Sequence, residues 1–451
     1  MNLKLRQTLE LEITTLNSHG QGQAVFEGKI IDVDNVFPGD KIRASITFIS
    51  KEKIFAKAFE FINRSPLRIS PFCPLALDCG GCSWQELAYE TQLKLKNEMI
   101  KNEFLKQGLF IKINEVCPSP TLAFRSKIQL PIIFSKGKTL IGYYKKNSHE
   151  IVDMETCPVH PELTNELVRK IKEIVVQEKI SLYDEKKHKG LLRHILIRFS
   201  VWEQKSILTL VINAKEIPQA IFKLSTELGE QVKNIAAISV NYNTQEGNTI
   251  LGPEDEMIWG DDIIEEVIND KHYTFSSKSF FQTNIAIAEK ICEKVQSFFE
   301  PGTLLDLYSG VGLYAVQLGE KAKSITCIEY SEDATMNAQE NLKRNDLQKA
   351  QCFSGDVLKH LENYVRDQKS FDTVIVNPPR KGLDAKVREL LPKLVTRDLI
   401  YVSCSPITLA RDLKELSQHF DVSEVFPFDM FPHTAHVENV VYLKRNDDGK
   451  V

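Results

Sequence analysis

Short stretches in which apolar and polar residues alternate open the chain: LELEITTL, GQAVFEG, KIIDVDNV, KIRASITFIS and KIFAKAFEFI. A period of two puts one face in a core and the other in water, so each stretch predicts a half-buried strand. Five such strands within residues 1–62 predict a small β-barrel. Over residues 85–108 the period lengthens, and Leu87, Thr91, Leu95, Met99 and Leu105 fall near one helical stripe. Lys94, Lys96, Lys101 and Lys106 are assigned to the solvated face of that helix. From about 120 to 260, FRSKIQLPIIF, TLIGYYKK, LLRHILIRFS, SILTLVINA and IAAISVNYN predict an antiparallel sheet. With helices near 161–178 and 217–229 it makes an α+β module.

After Phe280 the pattern changes to strands alternating with helices: TLLDLYS, SITCIEY, AQCFSGD, TVIVNPP and LIYVSC. That alternation predicts a parallel sheet covered on both faces. DVSEVFPF and NVVYLKR close the chain without a helix between them, which predicts one antiparallel strand at the sheet edge. The fold class is therefore multidomain: an N-terminal small β-barrel (1–62), a central α+β module (63–270) and a C-terminal α/β domain (271–451). Helix 85–108 is a candidate to pack on the last of these.

Composition changes the picture in two ways. The chain has 451 residues and a net charge of −4, which argues against a uniformly basic nucleic-acid binder while leaving local basic patches open. No apolar run is long enough to span a bilayer, and the opening MNLKLRQTLELEI lacks the apolar core of a signal peptide. The expectation is a cytoplasmic protein with no membrane partner and no obligate protein partner indicated. It has nine cysteines, and in that setting those that cluster are expected to bind metal or catalyse rather than form disulfides. Three of them, Cys73, Cys79 and Cys82, form a C-x5-C-x2-C run.

Four motifs sit where the α/β pattern puts strand ends. In LLDLYSGVGLYAV, Gly310 and Gly312 lie between a strand and a helix, a turn that lets a ligand approach the backbone. Glu329, ending the next strand, can bind the two hydroxyls of a ribose. Taken alone, these residues fit either a dinucleotide or S-adenosylmethionine; Asp306 and the two final strands favour the methyl donor. Asp356 can bind an adenine amino group or cap a helix. Asn377 in NPPR presents one donor and one acceptor, the complement of uracil O4 and N3–H. Cys404 in SCSP ends the following strand and is either a buried hydrophobe or a nucleophile. Glu438 in HTAHVE is either an exposed acid or the base such a nucleophile requires. Arg125, Lys127, Lys145, Lys146 and the stretch from Lys186 to Arg198, beside Tyr143 and Tyr144, suggest an RNA face.

In this order, SFFQTN, DLYSGVG, IEY, GDV, NPPRKGL, SCSP and HTAHVE resemble the bacterial RNA (uracil-5-)-methyltransferase family, most closely the iron–sulfur 23S rRNA branch. The barrel, with SHGQGQA and GKIIDVDNVFPGD, resembles a TRAM domain, an OB-like RNA-binding barrel. The resemblance implies a class I, Rossmann-like methyltransferase domain using S-adenosylmethionine. It implies donor contacts from Gln282, Tyr308, Glu329 and Asp356, a nucleophilic Cys404 and a proton-accepting Glu438. Phe280 is implied to shape the base pocket. The family usually has aspartate where this chain has Asn377. A [4Fe–4S] cluster is implied on Cys73, Cys79, Cys82 and Cys157, with Cys117 the rival fourth ligand and zinc the competing metal. The implied partner is RNA, 23S rRNA first and tRNA second. Other classes weighed are a non-catalytic RNA-binding iron–sulfur protein and an NAD-dependent oxidoreductase.

Overall fold

The computed structural model describes residues 3–146, 148–261, 263–277 and 281–446. The N-terminal domain has strands β1 (Thr8–Glu12), β2 (Thr15–Leu16), β3 (Gly22–Phe26), β4 (Lys29–Val33), β5 (Lys41–Ile49) and β6 (Ile54–Asn63). They follow one another in the sheet as β1-β5-β6-β4-β3-β2. β1 and β2 are two halves of one bent segment at opposite ends of that order. Ile13 N–H donates to Asp40 O and Thr14 N–H to Gln23 O, both 2.9 Å, so the segment crosses from β5 to β3 and closes the barrel. The alternation in LELEITTL reads as one strand because the bend does not interrupt it. Leu9, Leu11, Ile31, Val33, Ile42 and Ile46 fill the interior.

The barrel is fastened to the segment after it by Asp40, which is fully buried. It accepts from Phe37 N–H (2.7 Å), Ser65 N–H (2.8 Å) and Arg68 Nη2 (2.7 Å). Arg68 also pairs with Glu86 at 2.7 Å.

Helix α1 (Tyr89–Lys106) packs on the C-terminal domain through Ile100 and Phe104. Its buried face differs from the predicted stripe. Leu105 is exposed, whereas Lys96 is fully buried. A charged residue inside an apolar stripe is read as solvated unless its partner is known.

The central sheet contains β7 (Lys127–Ser135), β8 (Lys138–Ile141), β9 (Leu192–Ser200), β10 (Lys205–Ile212), β11 (Ile235–Tyr242) and β12 (Glu254–Gly260), in the order β12-β11-β10-β9-β7-β8. Helices α2 (Glu162–Gln177) and α3 (Gln219–Gln231) share a core with it. The sheet is mixed rather than antiparallel: β10 and β11 run parallel, because α3 makes a crossover between them. Ile207 of β10 and Ala237 of β11 join a second core with Phe275 and Phe281, and β9, between β10 and β7, is buried along its whole length. The hairpin β13 (Ile264–Ile268) and β14 (Lys271–Phe275) contributes to that second core, and the boundary drawn at 270 falls in its turn.

The C-terminal domain begins with α4 (Ile285–Phe298) and continues β15 (Thr303–Leu307), α5 (Leu313–Leu318), β16 (Ser324–Glu329), α6 (Glu332–Arg344), β17 (Ala350–Ser354) and α7 (Val357–Arg366). It ends β18 (Phe371–Val376), α8 (Ala385–Leu394), β19 (Val395–Ser403), α9 (Pro406–Leu416), β20 (Phe420–Phe428) and β21 (Glu438–Arg445). The sheet order is β17-β16-β15-β18-β19-β21-β20. The expected antiparallel edge strand is corrected by this order. The antiparallel strand β21 lies between β19 and β20, and the edge strand β20 runs with the parallel set. The crossover through α9 sets β20 one place beyond β19, and the returning chain fills the gap by hydrogen-bonding on both sides.

Candidate active site

β15 ends at Leu307, and the chain turns through Tyr308–Gly312 into α5. Tyr308, Gly310 and Gly312 have φ of 59°, 56° and 80°. The left-handed backbone suits glycine; at Tyr308 it marks a strained residue held by its surroundings. Tyr308, Gly310, Leu313 and Tyr314 line a pocket of about 320 Å³ with Phe281, Gln282 and Asn377. Glu329 braces the turn, its carboxylate accepting from Gly310 N–H and Ser331 N–H, both 3.0 Å. Asp306 is fully buried and accepts from Ala315 N–H at 3.1 Å. Its other oxygen and Ser309 Oγ are buried without a partner among the described residues, which leaves hydrogen-bonding capacity beside the turn. Burial pushes the Asp306 carboxyl up to about 8. Asp356 caps α7 by accepting from Lys359 N–H (3.2 Å). Asn377 follows β18 and donates its backbone N–H to Leu307 O (3.3 Å).

Cys404 and Glu438 meet through the strand order. Ser403 in β19 pairs with Asn439 in β21. Cys404 comes directly after the first and Glu438 directly before the second, so the antiparallel register makes them neighbours. Asn439 Nδ2 donates to Ser403 O at 3.2 Å and fixes the ends together. Burial pushes the Cys404 thiol up to about 11; the charge of Glu438 adds to this and Arg380 opposes it. Burial raises the Glu438 carboxyl to about 8. Tyr314 on the pocket wall also feels the Glu438 charge, which places that carboxyl within electrostatic reach of the pocket. A thiol, a carboxyl poised near neutrality and a glycine-turned pocket thus share one end of the sheet, at the carboxyl ends of its parallel strands.

The sequence profile described as tRNA (uracil-5-)-methyltransferase matches residues 88–446. An uncharacterised RNA methyltransferase of Listeria innocua is 34% identical over 98% of both chains. One from Clostridium tetani is 31% identical over 99% of this chain and 98% of its own. The chain belongs to the RNA (uracil-5-)-methyltransferase family. Among solved structures, the tRNA (uracil-54, C5)-methyltransferase of Pyrococcus abyssi in complex with S-adenosyl-L-homocysteine superposes with a TM-score of 0.78. It is 29% identical, over 96% of this chain and 100% of that one. The protein is an S-adenosylmethionine-dependent RNA (uracil-5-)-methyltransferase. Among the described residues no helix is long and apolar enough to cross a membrane.

Several other predicted residues of the methyltransferase sit in unexpected surroundings. Phe280 lies outside the described residues. Phe281 stacks on Phe275 with centroids 4.6 Å apart, inside the core. Arg125 has its guanidinium 5.4 Å from the Tyr143 ring and lines the cysteine pocket. Lys127 opens β7, and burial lowers its ammonium to about 8, with Arg198 and Arg125 adding to the effect. Its neighbour Ser126 donates to Gln282 O (3.2 Å) and Thr283 O (3.0 Å), so this strand end abuts the glycine-turn pocket. Arg193 is buried, donating to Asn243 O (2.7 Å) and Gln245 O (2.8 Å), and Arg198 Nε donates to Ser277 O (2.9 Å). Those two arginines are part of the interior, and Lys145 is paired with Asp78 at 2.8 Å. The RNA face read from this stretch is therefore thinner than its sequence suggests. The Tyr143 hydroxyl bonds His160 Nε2 at 2.8 Å and the ring walls the cysteine pocket, so it is not a free stacking platform.

Cys73, Cys79, Cys82 and Cys157 line a second pocket, of about 330 Å³, closed by Ala76, Pro158 and Val159. All four are free thiols. Gly81 N–H donates to Cys79 Sγ at 3.4 Å, and Gln85 Oε1 accepts from Cys73 N–H at 3.2 Å. Burial raises the Cys157 thiol to about 12. The thiols surround a space rather than a point: among the described residues no three His, Cys, Asp or Glu are gathered about a single ion position. Cys117 lies on another element, its N–H donating to Pro427 O (2.8 Å) beside β20.

One polar cluster left little trace in the sequence. Lys96 Nζ donates to Asp429 Oδ1 (2.5 Å) and Phe431 O (3.1 Å), and both charged groups are fully buried. Tyr89 donates to Asp429 Oδ2 (2.8 Å). Gln92 Oε1 accepts from His433 N–H (2.9 Å), and Gln92 Nε2 lies 3.2 Å from His433 Nδ1. A detectable signal is the pair Gln92 and Lys96, four apart within an otherwise apolar stripe.

Proposed function

We propose that the enzyme methylates C5 of a uridine in 23S rRNA through a transient bond between Cys404 and uracil C6. Uracil C5 is a weak nucleophile. Addition of the Cys404 thiolate to C6 leaves an enolate with electron density at C5. C5 attacks the methyl group of S-adenosylmethionine, which Gln282, Tyr308, Gly310 and Glu329 would hold; the C5–CH3 bond forms as the S–CH3 bond breaks, and the sulfur keeps that electron pair as the thioether S-adenosylhomocysteine. Asn377 donates to O4 and accepts from N3–H, orienting the ring. Glu438 then takes the C5 proton, the C5=C6 double bond re-forms and the sulfur leaves as thiolate. The base must be flipped out of its stack for a thiol to reach C6. The observation that supports this reading is the register that makes Cys404 and Glu438 neighbours at the end of the sheet that also carries the glycine turn and its pocket.

Asn377 stands where the family usually has aspartate; it keeps the reach of the side chain and loses its charge. A [4Fe–4S] cluster on Cys73, Cys79, Cys82 and Cys157 belongs to the same reading and is supported by four thiols lining one pocket. Cysteine thiolates supply its ligation, and its role is to tie the segment after the barrel to the central sheet. Methyl transfer itself requires no electron.

The cysteine run favours rRNA as substrate. The description of the family profile and the activity of the Pyrococcus abyssi neighbour favour tRNA, which is the second reading. Unmodified 23S rRNA and tRNA transcripts, incubated with methyl-labelled S-adenosylmethionine and digested to nucleosides, decide between them. Labelled 5-methyluridine in rRNA is expected. Label in tRNA alone replaces the substrate, and label in any other nucleoside overturns the chemistry.

A further inference from the structure

Glu438 opens β21 opposite Phe428, the last residue of β20, and the loop 429–437 connects them. The first residue of that loop, Asp429, is fully buried against Lys96 of α1 and receives the Tyr89 hydroxyl. The Tyr89 oxygen in turn accepts from Ser119 N–H at 2.8 Å. Halfway along the loop, His433 adopts φ of 64° and is bracketed on three sides. Its N–H donates to Gln92 Oε1, its Nδ1 faces Gln92 Nε2, and its Nε2 lies 3.0 Å from Thr121 O. Since the carbonyl can only accept, Nε2 carries the proton, and Nδ1 faces the Gln92 amide as an acceptor alongside Trp84 O (3.2 Å) and Leu87 O (3.0 Å). Burial lowers the His433 pKa, while the Thr121 hydrogen bond and the Asp429 charge oppose it, so the balance favours the neutral ring. Residues 89, 92 and 96 of α1 therefore grip both the start and the middle of the loop that ends at Glu438.

We propose that Tyr89, Gln92 and Lys96, with Asp429 and His433, form a positioning network that aims Glu438 at the C5 proton. The proposal rests on Glu438 being the base. None of the five touches the reacting atoms in this arrangement; they act through the loop. The step they serve is the last one. The carboxylate of Glu438 takes the proton from C5, the C–H electron pair becomes the C5=C6 bond, and the C6–S pair departs with Cys404. Nucleophilic attack and methyl transfer precede it and do not use Glu438. Loosening the loop should therefore slow release of Cys404 more than formation of its adduct. A displacement of about 1 Å at a reacting group can cost on the order of a hundredfold in rate.

The test is single turnover with methyl-labelled S-adenosylmethionine and unmodified rRNA and tRNA transcripts, comparing wild type, Glu438→Gln, Tyr89→Phe and the double variant Lys96→Met/Asp429→Leu. Replacing both members of a buried ion pair by apolar residues of similar size often preserves the fold, where breaking one does not. The readout is the fraction of protein carrying methyl label in a denaturation-stable protein–RNA adduct. The expected result is adduct in Glu438→Gln and in the double variant, with release slowed about tenfold or more relative to wild type. Kd for S-adenosylmethionine should change less than about twofold, since the donor pocket is untouched. Tyr89→Phe, which keeps the ion pair, should show a smaller build-up and decides the matter if the double variant does not fold. Adduct in Glu438→Gln but in neither network variant overturns the positioning role. No adduct in Glu438→Gln overturns the base assignment and this proposal with it.

Discussion

Cys404 and Glu438 are ordinary residue types whose properties are set by burial and by each other. With the carboxyl raised to about 8, only its upper titration range supplies a base. The base must be ionised for the last step, so kcat should rise as pH increases through about 8, while the growing thiolate fraction of Cys404 speeds the earlier addition in the same direction. A pH–rate profile between about pH 6 and pH 9 checks this; a flat or falling profile contradicts it. Stability moves the other way. The protonated carboxyl is the form the fold favours, so the contribution of Glu438 is fully present below its ordinary value of 4.5 and is lost as pH rises through about 8. At this scale the sequence is legible where a motif fixes a strand end: the linear pattern puts Cys404, Glu438, Asn377 and the glycine turn at strand ends, and the resemblance supplies the roles proposed for them. It is less legible for long cationic side chains. Arg193, Arg198 and Lys96 read as surface charge and are buried with oxygen acceptors, because a cation's partner is set by tertiary contact and leaves no periodic signature.

At the scale of elements, the site depends on a strand insertion that local pattern does not reveal. The final two strands are recognisable from their residues, but edge placement is the wrong inference. Only with β21 between β19 and β20 does Glu438 come beside Cys404. The cysteine pocket likewise unites separate elements, a loop after the barrel and the segment before α2. The ligand set proposed for it can be tested by variants. Cys157→Ser should lose most bound iron and visible absorbance after anaerobic reconstitution, from about four iron atoms per chain. Cys117→Ser, on the β20 side, should retain them. The reverse pattern would move the fourth ligand to Cys117, and a colourless zinc-rich wild type would remove the cluster.

Across the whole molecule, the barrel, the cysteine segment, α1 and the loop 429–437 share a small core of Leu16, Phe37, Trp84, Leu87, Leu95, Met99 and Ala435. Gly20 in the barrel, at φ of 78°, sits so close that a Cβ would lie 2.5 Å from Ala435 Cβ. The RNA-binding reading of the barrel thus belongs to a domain seated directly on the loop that carries Glu438. Its strands are readable from alternation, but its docking is not, since the glycine that permits close approach looks like any turn glycine. The central claim concerns one sulfur atom and is tested most directly by peptide mass mapping. The Glu438→Gln enzyme is incubated with S-adenosylmethionine and its RNA substrate, then digested with nuclease and protease. The account predicts a methylated uridine mass on the peptide containing Cys404, and none when Cys404 is also replaced by alanine. A nucleotide on a different cysteine, or 5-methyluridine formed by Cys404→Ala enzyme, would contradict it.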